Sequence, residues 1–260
     1  MSYPAESLRT CLSCIDLTSL NATDTDAKIM AMAQKANEFP QQFPDMPQIA
    51  ALCVYPSFTS VLRKTLTVRG VRIAVTGGGF PAAQTFLSVK IQECSMAVEE
   101  GADEVDIVLS LNSFLSEDYA RTGDDISAIK EAIGHAHLKV ILESGALASP
   151  PLIAHASRIA MEAGADFIKT STGKSEPAAT PQAAAVMCRE ILKYYQKTGK
   201  KIGFKPAGGI QTPDEALLYY SIVSEILGSE WLHPSLFRIG ASRLANNLLS
   251  ALHHQTVAYF

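Results

Sequence analysis

Short apolar runs recur along the chain, separated by segments whose apolar residues fall at helical spacing. Eight runs rich in Val, Ile and Leu predict strands, at residues 14–17, 49–54, 71–75, 104–109, 138–142, 167–169, 202–205 and 237–239. Helical periodicity marks residues 24–37, 85–99, 126–133, 151–162, 181–197 and 213–227. Thr180-Pro181 and Thr212-Pro213 each place an N-cap oxygen before a proline, whose missing N–H costs nothing in a first helical turn. Glu99-Glu100-Gly101 and Glu162-Ala163-Gly164 predict helix exits, with glycine suited to the position past the last turn. Buried runs alternating with helices predict a parallel sheet. Eight such units predict an α/β protein whose residues 1–260 form a single (β/α)8 TIM barrel. The rival, an open doubly wound sheet, lacks its early G-x-G-x-x-G turn. Residues 248–252 predict the end of a helix, and residues 253–260 a tail.

Composition narrows this mainly by exclusion. With 47% hydrophobic and 18% charged residues and a net charge of -4, the chain has no electrostatic footprint for a nucleic-acid partner. A small phosphorylated ligand needs only a local pocket and is compatible. No apolar stretch is long enough to cross a bilayer. The opening Met1-Ser2-Tyr3-Pro4-Ala5-Glu6 has no basic segment leading into an apolar export core, so a cytoplasmic protein without a membrane partner is expected. Cys11 and Cys14 form a C-x-x-C with no second pair near enough for a zinc site; they, Cys94 and Cys188 are expected as small buried residues. Cys53 ends its run close to an expected loop site.

Two lysines change the picture. Lys169 closes Phe167-Ile168-Lys169, and Lys205 closes Gly203-Phe204-Lys205. Side chains alternate along a strand, so Lys169 shares a face with Phe167, Lys205 with Gly203, and Asp106 with Glu104 and Val108. On adjacent strands the two amines would repel each other and be desolvated, which favours a neutral, nucleophilic amine on one of them and carbonyl chemistry through a Schiff base. The bland alternative makes each an ion-paired or rim-snorkelling residue. Asp106 and Asp16 are strand carboxylates that either hold a proton relay or neutralise lysine, and Glu143 is expected to help neutralise this layer. Gly-rich turns follow the last three strands at Thr172-Gly173-Lys174, Ala207-Gly208-Gly209 and Gly240-Ala241-Ser242, and suit a phosphate. Gly173-Lys174-Ser175 is not a P-loop, because Ile168 stands where its first glycine belongs. Gly77-Gly78-Gly79-Phe80-Pro81 predicts a flexible substrate-side loop.

The segments Asp16-Leu17-Thr18, Gly101 to Asp106, Lys139 to Glu143, Ala165 to Lys174 and Gly203 to Gly209 together resemble the deoxyribose-phosphate aldolase family, class I aldolases of barrel fold, over nearly the whole chain. The resemblance implies Lys169 as Schiff-base lysine, Lys205 as the lysine that perturbs it, Asp106 as relay acid and Asp16 as a secondary relay. It implies phosphate contacts at Gly173, Lys174, Gly208, Gly209, Gly240 and Ser242. A C-terminal tyrosine of the family corresponds to Tyr259, here penultimate. The implied partners are a phosphorylated deoxy sugar and small aldehydes, with no metal, nicotinamide or pyridoxal cofactor, in a monomer or small homo-oligomer, commonly a dimer. Arg243 stands where the family's bacterial members have a second serine; it either strengthens phosphate binding or turns outward. A sugar-phosphate-binding barrel without catalysis is the alternative.

Overall fold

The computed structural model describes residues 4–260; Met1 to Tyr3, the start of the segment read for an export core, lie outside them. Among the described residues eight strands are formed: β1 (Ile15–Thr18), β2 (Ala51–Val54), β3 (Arg72–Gly77), β4 (Glu104–Val108), β5 (His137–Ile141), β6 (Phe167–Lys169), β7 (Gly203–Lys205) and β8 (Ile239–Ala241). Seven neighbouring pairs, β1–β2 through β6–β7 and β1–β8, run parallel. Parallel bridges Phe204–Phe237 and Ala207–Gly240 bring β7 to β8 and complete the ring. The fold is the expected (β/α)8 barrel. Strand eight begins two residues later than the apolar run suggested, because the ladder to β1 starts at Ile15–Ile239.

The helices are α1 (Ala5–Ser13), α2 (Asp26–Gln42), α3 (Thr59–Thr65), α4 (Leu87–Glu99), α5 (Leu111–Leu115), α6 (Tyr119–Ile133), α7 (Ser144–Leu147), α8 (Pro150–Glu162), α9 (Pro181–Thr198), α10 (Pro213–Leu227) and α11 (Leu244–His253). Thr180 and Thr212 cap α9 and α10 as their sequence suggests, and Thr212 forms a reciprocal capping box with Glu215. Helix α6 starts seven residues before the expected 126, capped by Asp118, since its first turns carry too few apolar residues to show a period. Helix α2 runs past its expected end at 37 and through Pro40. Proline has no N–H to offer the carbonyl one turn back. The Gln48 amide fills that place, donating to the Ala36 oxygen at 2.8 Å.

Strand residues such as Ile168, Val140 and Phe204 face outward into one apolar core shared with the helices. Inside the ring Phe167 stands against the bare backbone of Gly203, where a Cβ would lie 2.2 Å from the ring. No helix among the described residues is long and apolar enough to cross a membrane.

Candidate active site

Parallel register places Lys169 directly beside Lys205 and Asp106 beside Lys139. Alternation then turns all four side chains into the barrel, where they are buried with Asp16, Glu104 and Arg238. Asp106 is the hub. Its Oδ2 accepts from the Lys169 Nζ at 2.9 Å and the Lys205 Nζ at 2.8 Å, and its Oδ1 accepts from the Lys139 Nζ at 2.8 Å. Lys205 also pairs with Asp16. Lys139 pairs with Glu104 at 2.6 Å, and Arg238 bridges Asp16 and Glu104 at 2.6 and 2.7 Å. Three carboxylates therefore face four basic groups, and Lys169 has a single carboxylate partner.

The electrostatics follow that wiring. Burial lowers the Lys169 amine from the ordinary lysine value; Asp106 pulls it back and Lys205 pushes it down further. Burial opposes the charge of Lys205 as well, but Asp106 and Asp16 together outweigh it and hold that ammonium well above the ordinary value. Asp106 is buried, yet Lys139, Lys169 and Lys205 keep its carboxyl far below the usual range. Asp16 is lowered in the same way, against burial, by Lys205, Arg238 and Lys139. Two adjacent lysines thus sit in opposite environments.

Lys169 is also the lysine that opens outward. It lines a cavity of about 210 Å³ together with Thr18, Thr172, Gly173, Lys174, Gly208, Gly209, Gly240 and Ser242; Lys205 does not reach that lining. The three glycine turns meet there as expected. Gly208 has φ +91°, and a Cβ on it would lie 2.6 Å from Ala178 and 3.2 Å from Gly173, so only glycine keeps the two turns this close. Gly240 serves differently from expectation. Its N–H is committed to the Pro206 carbonyl at 2.9 Å, and what it offers is the missing side chain beside Ala207 and Lys205. Lys174 donates to the Leu20 carbonyl across the cavity mouth.

The other residues singled out in the sequence find separate places. Tyr259 is not brought to the lysines: its hydroxyl donates to the Lys35 carbonyl at 2.7 Å, its ring packs on Phe43, and Asn246 fastens the last two residues through their N–H groups. Arg243 lines a neighbouring groove with Lys28, Lys35 and Phe260, not the Lys169 cavity. Glu143 does not join the charged layer. It accepts from the N–H and hydroxyl of Thr172, at 3.1 and 2.6 Å, and so holds the loop that carries Gly173 and Lys174. The Gly77–Gly79 loop is anchored: the Gly79 N–H donates to Glu93, and Phe80 packs on Ala83, Val108 and Ile141. Cys53 does lie close to the site: it is buried in the ring against Ala51 and Ala74, with its thiol near Lys205 and Lys169.

Three members of the layer were missed as such: Lys139, Glu104 and Arg238. Parity already placed Glu104 with Asp106. The same alternation, applied to Leu138-Lys139-Val140 and Phe237-Arg238-Ile239, would have found the others. Among the described residues no cluster of three or more His, Cys, Asp or Glu side chains is placed to hold a metal ion.

A family model described as DeoC/LacD family aldolase matches residues 10–225. A protein of Caenorhabditis elegans is 45% identical over 251 residues, covering 95% of this chain and 82% of that protein. The human protein named deoxyribose-phosphate aldolase is 41% identical over 257 residues, covering 95% of this chain and 80% of its own. A structure described as a tetrameric deoxyribose phosphate aldolase from Aeropyrum pernix superposes with a TM-score of 0.72 at 26% identity, covering 94% of this chain and 92% of that one.

Proposed function

The chain belongs to the DeoC/LacD family of aldolases, and from that premise we propose that it reversibly cleaves 2-deoxy-D-ribose 5-phosphate to D-glyceraldehyde 3-phosphate and acetaldehyde through an imine on Lys169. One observation carries this reading: of the three lysines gathered on Asp106, only Lys169 lines the cavity, and it is the one whose ammonium form is disfavoured. A neutral amine with access to a carbonyl is a nucleophile; a buried ammonium paired with two carboxylates is not.

Lys169 attacks the open-chain aldehyde to give a carbinolamine, which loses water to become an iminium. The bond between carbons two and three breaks, and its electron pair moves into the iminium to form an enamine. The carbon-three hydroxyl gives up its proton as it becomes the new aldehyde. Asp106, freed of one partner when Lys169 turns to the substrate, receives that proton through water with the Lys205 ammonium beside it. Protonation of the enamine carbon and hydrolysis then release acetaldehyde and restore the amine. The sugar phosphate sits between the turns at Gly173, Gly208 and Gly209, with Lys174 as a point charge and Ser242 as a hydroxyl donor.

Product identification tests this. Incubation with 2-deoxy-D-ribose 5-phosphate should release acetaldehyde and glyceraldehyde 3-phosphate in equal amounts, faster than any product from other phosphorylated aldoses. Preferred cleavage of another sugar would keep the aldolase and reject this substrate. Binding of the sugar phosphate without any cleavage would favour a silent barrel.

A further inference from the structure

The charged interior holds groups that this chemistry does not touch, Arg238 among them. Arg238 is 3% exposed and is absent from the cavity lining. Its Nη1 donates to the Asp16 Oδ1 at 2.6 Å and the Glu104 Oε2 at 3.1 Å, its Nη2 to the Glu104 Oε1 at 2.7 Å, and its Nε to the Pro234 carbonyl. We propose that Arg238 is the positioning residue that keeps Lys169 uncharged: it is a permanent cation in a layer of three carboxylates, and its presence leaves one positive charge too many, which Lys169 sheds.

The inference rests on Lys169 as the imine-forming residue. Guanidinium does not lose its proton inside a protein. Asp16, Glu104 and Asp106 are therefore already balanced by Lys139, Lys205 and Arg238, each in contact with at least two of them. A fourth cation would be a buried charge without a counterion of its own. Lys169, with one carboxylate contact and an open side, is where the proton leaves. Burial and the Lys205 ammonium act on Lys169 directly; Arg238 acts through the carboxylates it occupies. With Arg238 removed, three amines would face three carboxylates, and Lys169 could stay protonated as an ordinary ion pair.

Few other ionisable groups face these side chains. Lys169 meets Asp106 from β4, Lys205 from β7 and the Cys53 thiol from β2, and burial pushes that thiol up and keeps it neutral. Arg238 meets Asp16 from β1, Glu104 from β4 and the Phe167 ring from β6 at 5.7 Å, with the Cys14 thiol near Asp16; burial raises this thiol too. From β5, Lys139 binds Glu104, and His137 lies 3.9 Å from it with its side chain 44% exposed to water.

The test is the pH dependence of cyanoborohydride trapping of acetaldehyde on the full chain, with the modified peptide identified by mass. In Arg238→Met the acid limb of the trapping rate should move to higher pH by about one unit, the order expected of one charge in an interior of effective dielectric about 20. Arg238→Lys should hold the limb in place. Adding Glu104→Gln to Arg238→Met removes one charge of each sign and should return it. Glu104→Gln alone should move it to lower pH, and Arg238→Gln, which keeps hydrogen-bond donors for Asp16 and Glu104, should give the same upward shift as Arg238→Met where the methionine variant fails to fold. A limb that stays put when the Arg238 charge is removed, with the adduct on Lys169, overturns the role of Arg238 and leaves the nucleophile standing. An adduct on another residue of the unsubstituted protein overturns the nucleophile, and this inference with it.

Discussion

A lysine in water has a pKa near 10.4, so at neutral pH only about one amine in a few thousand is unprotonated. Lys169 escapes this by giving up hydration for a place beside Lys205 with a single carboxylate in reach. Such a place costs stability, and the sign can be worked out. Because the folded-state pKa lies below the unfolded one, the unfolded chain binds more protons at neutral pH. The stability associated with this group therefore rises with pH and the cost vanishes above the unfolded value. Lys169→Met, which keeps the volume and leaves Asp106 with Lys139 and Lys205, should abolish activity and stabilise the fold at pH 7 by about 1 kcal/mol, as single stabilising changes do, seen as a higher Tm. The advantage should shrink as the pH approaches the ordinary lysine range. Thermal unfolding at several pH values checks both halves, and a lower Tm at pH 7 would mean that Lys169 contributes to the fold as a paired cation.

At the level of elements, the loops after β5 and β6 form one clamp. Glu143 sits at φ +50°, a conformation that a side chain of this size rarely adopts, and from there it reaches both donors of Thr172. The Thr172 hydroxyl oxygen in turn accepts from the Lys174 N–H at 3.0 Å. Glu143→Ala should loosen the β6 turn and raise KM for the phosphorylated sugar about tenfold, a loss of about 1.4 kcal/mol in binding. Its effect on unphosphorylated deoxyribose should be small. Steady-state kinetics on the two sugars decides, and equal losses on both would assign Glu143 to general architecture. Such pairings mark the limit of what was legible in the chain. Strand alternation gave the barrel, the shared face of Glu104 and Asp106, and the meeting of Lys169 with Lys205, since these depend on local period and on the order of strands. Glu143 and Thr172 lie 29 residues apart, and nothing local says which of several acceptors the threonine will meet. The continuation of α2 past Pro40 depended on Gln48 folding back to Ala36, and the placement of Tyr259 on an aromatic cluster supplied by Phe39 and Phe43. Both are tertiary contacts that override what composition near the site suggests.

The whole barrel is needed to make the layer. Asp16 comes from β1, Asp106 and Glu104 from β4, Lys139 from β5, Lys169 from β6, Lys205 from β7, and Arg238 from the approach to β8. Of the neighbouring strands only β1 and β8 bring a balanced pair, Asp16 with Arg238; the two carboxylates of β4 meet cations from β5, β6, β7 and the approach to β8, so the whole layer can be buried only when the ring closes on itself. Closure also brings the three glycine turns to the one end where Lys169 emerges. Everything turns on the Lys169 Nζ as the atom that bonds to substrate. Incubation with 2-deoxy-D-ribose 5-phosphate and borohydride, followed by peptide mass mapping, should place the reduced adduct on the peptide containing Lys169, and Lys169→Met should show none. An adduct on Lys205, or release of acetaldehyde with no trapped adduct on any lysine, would contradict it.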